Sequence, residues 1–190
     1  MPSATPNPLL LDALATAVAA HGTAKQARKG TGFPYAIHPI RVAETLHFAG
    51  CDDEVVAAGF LHDTTEDTAV SLQEIEARFG PRVARLVAGA SEPDKSAPWK
   101  ARKQHTLDFL RRDADHDTLM VTAADKLDNV RAIHALLRRH GADEAWSAFN
   151  APVSEQEWYY RGVAGALLGR EPDNPLFLRL DAEVKTVFPG

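Results

Sequence analysis

The chain has 190 residues, a formal net charge of -5 and a pI near 5.9. That length suits one domain with a real core, and the acidic balance excludes the overall basic field that nucleic-acid binding draws on. One cysteine, Cys51, excludes an intramolecular disulfide framework and suits a reducing cytoplasm.

The chain-order pattern is helical throughout. Leu9-Leu10-Leu11 is too short to span a bilayer, lacks a basic segment before it and is interrupted by Asp12, so neither a membrane anchor nor a signal peptide is expected. Leu10, Leu14, Ala17, Val18 and His21 repeat at helical spacing, and Gly22 can end that segment. A loop rich in breakers follows, with Gly30, Gly32 and Pro34. Pro39 suits a first helical position, and Ile40, Ala43 and Leu46 continue an amphipathic stretch to Gly50. Asp52-Asp53 opens a helix whose residues Val55 to Leu61 are almost wholly apolar. Ser71-Leu72-Gln73-Glu74 is a capping box for a helix ending near Phe79-Gly80, and Pro81 restarts one through Val83, Leu86 and Val87. Ser91 to Ala97 reads as a polar loop, and Pro98 starts a helix with Leu107, Phe109 and Leu110. Leu119 to Leu137 reads as one buried helix, although Leu119-Met120-Val121-Thr122 is tempting as a short strand. Ser154 to Leu168 and Leu176 to Phe188 complete the set. The expected fold is all-α: one multi-helix domain over 1–190, with a motif-bearing part at about 10–140 and a helical extension at about 141–190.

Chemistry concentrates in His62-Asp63-Thr64-Thr65-Glu66-Asp67, directly after the apolar run. On one continuous helix, His62 and Glu66 would share a face and Asp63 and Asp67 the adjacent one. Four ionisable groups at the end of a buried helix are costly unless they coordinate an ion or pair with bases. His38 stands just before Pro39 at a helix start, and Asp125 interrupts an apolar helix where an unpaired carboxylate would be penalised. Each has an ordinary reading: His38 as a satisfied core histidine, Asp125 as a partner of Lys126 or Arg131. Together, His38, His62, Asp63 and Asp125 form a mixed N/O set suited to a first-row divalent ion such as manganese or iron(II). Structural zinc favours thiolate-rich sites, which one cysteine cannot supply. Lys25, Arg28 and Lys29 cluster shortly before His38, as a polyphosphate substrate would require.

The order His, His-Asp, Asp resembles that of HD-domain metal phosphohydrolases. More narrowly, Arg28-Lys29, Pro34-Tyr35-x-x-His38-Pro39, His62-Asp63-Thr64-x-Glu66-Asp67, Phe79-Gly80, Lys95 with Arg102-Lys103, and Ala124-Asp125-Lys126-Leu127-x-Asn129 resemble the hydrolase domain of RelA/SpoT proteins. The likeness runs from about Lys25 to Asn129. Because the chain ends long before a synthetase or regulatory domain could fit, it resembles a stand-alone small alarmone hydrolase. The resemblance implies removal of the 3′-pyrophosphate of guanosine tetra- and pentaphosphate in the cytoplasm, with no membrane or nucleic-acid partner. It implies one divalent ion, usually manganese, held by His38, His62, Asp63 and Asp125. It also implies a water activated and positioned by Glu66 and Asp67, and substrate contacts from Arg28, Lys29 and Asn129. Whether the chain works as a monomer or a homo-oligomer is left open.

Several positions depart from the family pattern. Thr23 stands where relatives commonly carry a histidine, and Trp99 where some carry a basic residue. Trp158-Tyr159-Tyr160-Arg161 matches only loosely. Trp99, Trp158 and Tyr159 could stack on a purine, with core packing as the ordinary reading. Two alternatives stand beside the alarmone: an HD phosphohydrolase acting on another phosphorylated nucleotide such as NADPH, and a non-catalytic module that binds the alarmone.

Overall fold

Helix ends in this protein are set by local capping chemistry. The structure, a computed structural model, describes residue 5, residues 7–92 and residues 96–189; Lys95 of the family pattern lies outside them. Among the described residues there are eleven helices and no strand beyond an isolated bridge between Ala27 and Pro34. The protein is all-α, as its pattern predicts. Helix packing separates two units: residues up to Ala27 with Phe33–Ser91, and Arg28–Gly32 with the chain from Glu92 onward.

The first unit contains α1 (Pro8–Thr23), α2 (Ile37–Phe48), α3 (Asp53–Leu61), α4 (Thr64–Asp67), α5 (Leu72–Phe79) and α6 (Pro81–Ala90). Asn7 caps α1 by accepting from the Leu9 N–H at 2.9 Å, and Asp52 caps α3 by accepting from Glu54 and Val55. The Ser71–Glu74 capping box is present at α5. Pro39 is not the first residue of α2 but its third. This is tolerated because first-turn N–H groups have no intrahelical acceptor. His38 therefore belongs to the helix itself rather than to the preceding loop. The core of this unit is Ala13, Ala17, Val42, Ala43, Leu46, Val55, Ala58 and Leu61, all nearly or fully excluded from solvent.

The second unit contains α7 (Trp99–Arg112), α8 (His116–His140), α9 (Ala142–Ser147), α10 (Val153–Arg170) and α11 (Pro175–Val187). Leu119-Met120-Val121-Thr122, the one strand-like stretch, lies inside α8. Asp115 caps that helix by accepting from the Thr118 N–H at 2.9 Å, and the apolar run is simply its buried face. Leu119, Val121, Leu127, Val130 and Ile133 bring α8 against its neighbours, α11 above all. Arg170 of α10 ties down the end of α7 by donating to the carbonyls of Leu110 and Ala114 at 3.1 and 3.0 Å. The short segment Arg28–Gly32 rests on this unit. At Gly30, φ is +69° and an added Cβ would stand 3.0 Å from Leu136 Cδ1, so only glycine fits there without strain. Among the described residues no helix is long and apolar enough to cross a membrane.

Candidate metal centre

Two buried histidines meet because two helices pack unusually closely. Gly59 of α3 lies against Ala43 of α2: a Cβ on Gly59 would be 3.3 Å from the Ala43 Cα and 2.6 Å from Leu46 Cδ1. Small residues at both crossing points let the backbones approach. His38 stands at the start of α2 and His62 just beyond the end of α3, so the close crossing brings their rings to a centroid distance of 5.1 Å at 70°.

The hexapeptide from His62 to Asp67 is not one continuous helix. α3 ends at Leu61, His62 and Asp63 form a turn, and α4 begins at Thr64. A side-chain hydroxyl explains the break. Thr64 Oγ1 donates to the Leu61 carbonyl at 2.7 Å, offering this acceptor a partner other than the helix ladder, while Ser91 Oγ donates to the Val87 carbonyl at 2.8 Å and lies 3.3 Å from that of His62. Asp63 and Asp67 remain one turn apart, with the Asp67 N–H donating to the Asp63 carbonyl at 3.0 Å. Gln26 steadies the far end of α4 by donating to the Asp67 carbonyl at 2.7 Å. Glu66 is half-buried and Asp67 exposed on this short helix.

The donor atoms of His38, His62 and Asp63 all lie within 4.8 Å of one another. Asp63 Oδ2 is 3.4 Å from His38 Nε2 and 3.2 Å from His62 Nε2. Ligands that share one ion at about 2.1 Å stand about 3 Å apart, so these separations fit a common cation. His62 Nδ1 lies 2.9 Å from the Gly59 carbonyl, which assigns its proton to Nδ1 and turns the Nε2 lone pair toward Asp63. Tyr35 donates its hydroxyl to Asp63 Oδ2, and its ring lies edge-on to His38 at 5.5 Å. Burial pushes the Asp63 carboxyl up, but the two imidazoles beside it, His62 foremost, hold it well below the usual carboxylate range. An ionised carboxylate with two imidazole nitrogens is a donor set for a divalent metal.

The remaining predicted residues gather in the second unit, on and around α8. Asp125 is buried; Asn129, one turn on, donates its amide N–H to Asp125 Oδ1, and Lys126 Nζ lies 2.6 Å from Oδ2. The pairing of Asp125 with Lys126, an ordinary reading of that carboxylate, is thus present, whereas Arg131 is directed to Glu183 at 3.8 Å. Burial pushes the Lys126 ammonium down, and Asp125 and the neighbouring tyrosines hold it well above the usual lysine range instead. Arg28 Nη1 donates to Asn129 Oδ1 at 3.0 Å, while Nη2 pairs with Asp128 Oδ2 at 2.6 Å. Lys29 Nζ stands over the Phe149 ring at 5.7 Å. Trp99, Trp158 and Tyr159 form one aromatic cluster, Trp99 lying 6.5 and 6.1 Å from the other two, with Lys103 4.7 Å from the Tyr159 ring. Tyr159 is buried, as core packing requires, and the two tryptophans are half-buried.

Residues 13–150 match the family model described as the HD domain. The chain belongs to the HD-domain family. HD-domain hydrolases are metal-dependent, and His38, His62 and Asp63 are where this member carries donors for an ion. It is 39% identical over 137 residues to guanosine-3′,5′-bis(diphosphate) 3′-pyrophosphohydrolase MESH1 of Danio rerio, covering 70% of this chain and 71% of that protein. A probable enzyme of the same activity from Synechocystis is 39% identical over 116 residues, but the match covers 58% of this chain and only 15% of that longer protein. Among solved structures, lmo0812 of Listeria monocytogenes EGD-e superposes with a TM-score of 0.74 at 35% identity, covering 80% of this chain and 99% of that one. A metazoan ortholog of SpoT, described as hydrolyzing ppGpp, superposes with a TM-score of 0.74 at 25% identity, covering 98% of this HD-domain chain and 97% of its own.

Sequence reasoning passes over Tyr35, Asp128 and Gln26 as site residues. Tyr35 belongs to the Pro34–Pro39 motif, but only the fold reveals its contact with Asp63, 28 positions away. Asp128 sits at the unspecified position of the Ala124–Asn129 motif, and nothing local marks it as the partner of Arg28, 100 positions away.

Proposed function

We propose that this protein is a metal-dependent guanosine-3′,5′-bis(diphosphate) 3′-pyrophosphohydrolase acting on free nucleotide in the cytoplasm. The observation that carries the reading is the convergence of His38, His62 and Asp63 on one point, directly before the short helix that carries Glu66 and Asp67. The MESH1 relative, 39% identical over 137 residues, supports the choice of substrate. The ion is one Mn2+, with Asp125 as the fourth ligand, following the His, His-Asp, Asp order of the motif.

When bound, the ion supplies Lewis acidity, acidifying water and neutralising phosphate charge. The chain's own groups do the rest. Glu66 accepts the proton of the attacking water, and Asp67 orients that water. The water oxygen bonds to the phosphorus carried by the 3′-oxygen, and the P–O3′ bond breaks. The 3′-oxygen takes up a proton, so the tetraphosphate gives GDP and pyrophosphate and the pentaphosphate gives GTP and pyrophosphate. Lys29 and Asn129 contact the substrate. Arg28 belongs to the same basic pair.

Turnover of Mn2+-loaded protein against guanosine tetraphosphate, NADPH and plain nucleotides tests the reading. Pyrophosphate and GDP in equal amounts are the expected products. Phosphate from NADPH without alarmone turnover would move the assignment to that nucleotide, and alarmone binding without turnover would make the protein a binding module. Lys29→Ala should raise KM and weaken its salt dependence while bound metal is unchanged.

A further inference from the structure

Arg28 is a cation beside a proposed phosphate site, yet its guanidinium is engaged elsewhere. Nη2 lies 2.6 Å from Asp128 Oδ2 and 3.5 Å from the Asp128 carbonyl, and Nη1 donates to Asn129 Oδ1 at 3.0 Å. The ion pair is largely desolvated, with side chains 10% and 6% exposed. Both terminal nitrogens of Arg28 are thus engaged by groups of the chain itself, one of them a buried carboxylate.

The second bond has a different consequence. A carboxamide can sit in two orientations related by a half-turn, and its neighbours decide which one is adopted. Arg28 can only donate, so it requires the Asn129 oxygen to face it. The Asn129 nitrogen is thereby turned to Asp125, where it donates to Oδ1. Without Arg28 the amide loses the anchor on its oxygen and is held only by the bond to Asp125, so its nitrogen no longer fixes the carboxylate from a rigid position. Lys126 holds the other oxygen of Asp125 at 2.6 Å. The carboxylate plane is therefore set from both sides.

We infer that Arg28 is a positioning residue for the Asp125 carboxylate, acting through the Asn129 amide, rather than a residue that grips the substrate phosphates. The inference rests on Asp125 being a metal ligand, as proposed above. Partners that orient a ligand from outside the coordination sphere typically alter metal affinity about 10–100-fold when removed.

The test measures Mn2+ affinity of the full chain by calorimetry and by the EPR signal of free Mn2+, without substrate, in Arg28→Ala, Asn129→Ala and the double variant. Each single change should weaken Mn2+ binding by roughly 10–100-fold. The double variant should be no weaker than the worse single one, because both break the same relay. At saturating Mn2+ the KM of Arg28→Ala should rise no further than that of Asn129→Ala, which already lacks the amide that Arg28 orients. If Arg28→Ala does not fold, Arg28→Lys decides: one ammonium can keep the Asp128 pair but not the second bond, so Mn2+ binding should weaken with Tm retained. Parental Mn2+ affinity with a raised KM in either Arg28 variant overturns the relay and restores Arg28 as a phosphate contact. Parental Mn2+ affinity in Asp125→Asn is a separate outcome that overturns the ligand assignment, and the relay with it.

Discussion

Gly59 meets Ala43 where α3 crosses α2, and a single methyl group at Gly59 would come within 2.6 Å of Leu46 Cδ1. The crossing sits three residues before His62 and five after His38, so it sets the distance between the two imidazoles. Gly59→Ala should destabilise the fold by about 1–3 kcal/mol, the usual cost of an overpacked core. Urea denaturation measures the loss. Mn2+ affinity should fall with it, because the helices that carry the two rings must separate. A variant with parental stability would show that α2 and α3 can part freely.

Glu66 and Asp67 differ from the clustered donors by standing on the short helix α4, beyond the turn at His62-Asp63. Either residue changed to Ala should keep bound metal near the parental level and lower kcat by roughly 10²–10⁴-fold. Asp63→Ala should instead lose both metal and activity. Metal content by atomic emission separates the cases. Equal metal loss in all three variants would make Glu66 and Asp67 ligands.

Tyr35 donates its hydroxyl to the Asp63 oxygen that also faces both Nε2 atoms. Tyr35→Phe keeps the ring against His38 and removes the bond to Asp63. Mn2+ affinity should drop about tenfold, at the low end of the effect of outer partners, with Tm little changed. Calorimetric titration of the purified variant reads this directly.

Glu92 gives a pH-dependent stability. Burial pushes its carboxyl up, and Lys103 and Arg102 more than offset that, holding it below the ordinary value of 4.5. A carboxyl depressed in the folded state stabilises above its unfolded pKa, and that stabilisation is lost as pH falls through the folded value. Glu92→Gln should therefore cost about 1.5–3 kcal/mol at pH 7, the range for hydrogen bonds to charged groups. The gap from the parent should shrink as pH drops below 4.5. Urea midpoints recorded from pH 7 to pH 3 check the sign: a gap that widens on acidification would mean that the ion pair does not hold Glu92 ionised.

Much of this molecule was legible in the residues themselves. Helix periodicity, the caps at Asp52 and Ser71, and the restart at Pro81 are decided within a few neighbouring positions, so the pattern predicts α3, α5 and α6 closely. The donor types at His38, His62 and Asp63 are equally local, because burying such groups demands a compensating partner wherever they fall. Two local readings needed the fold to correct them. Pro39 suits the first position of a helix but stands third in α2, which places His38 inside the helix. The helix assumed through His62 breaks where the Thr64 hydroxyl bonds the Leu61 carbonyl. Tertiary structure alone decided the Gly59–Ala43 approach, the bond from Tyr35 to Asp63 and the pairing of Arg28 with Asp128. These join residues 16, 28 and 100 positions apart. Such contacts depend on which helix faces pack together, a property no short window of sequence contains, and they determine whether a basic residue near a metal site grips substrate or holds a ligand in place.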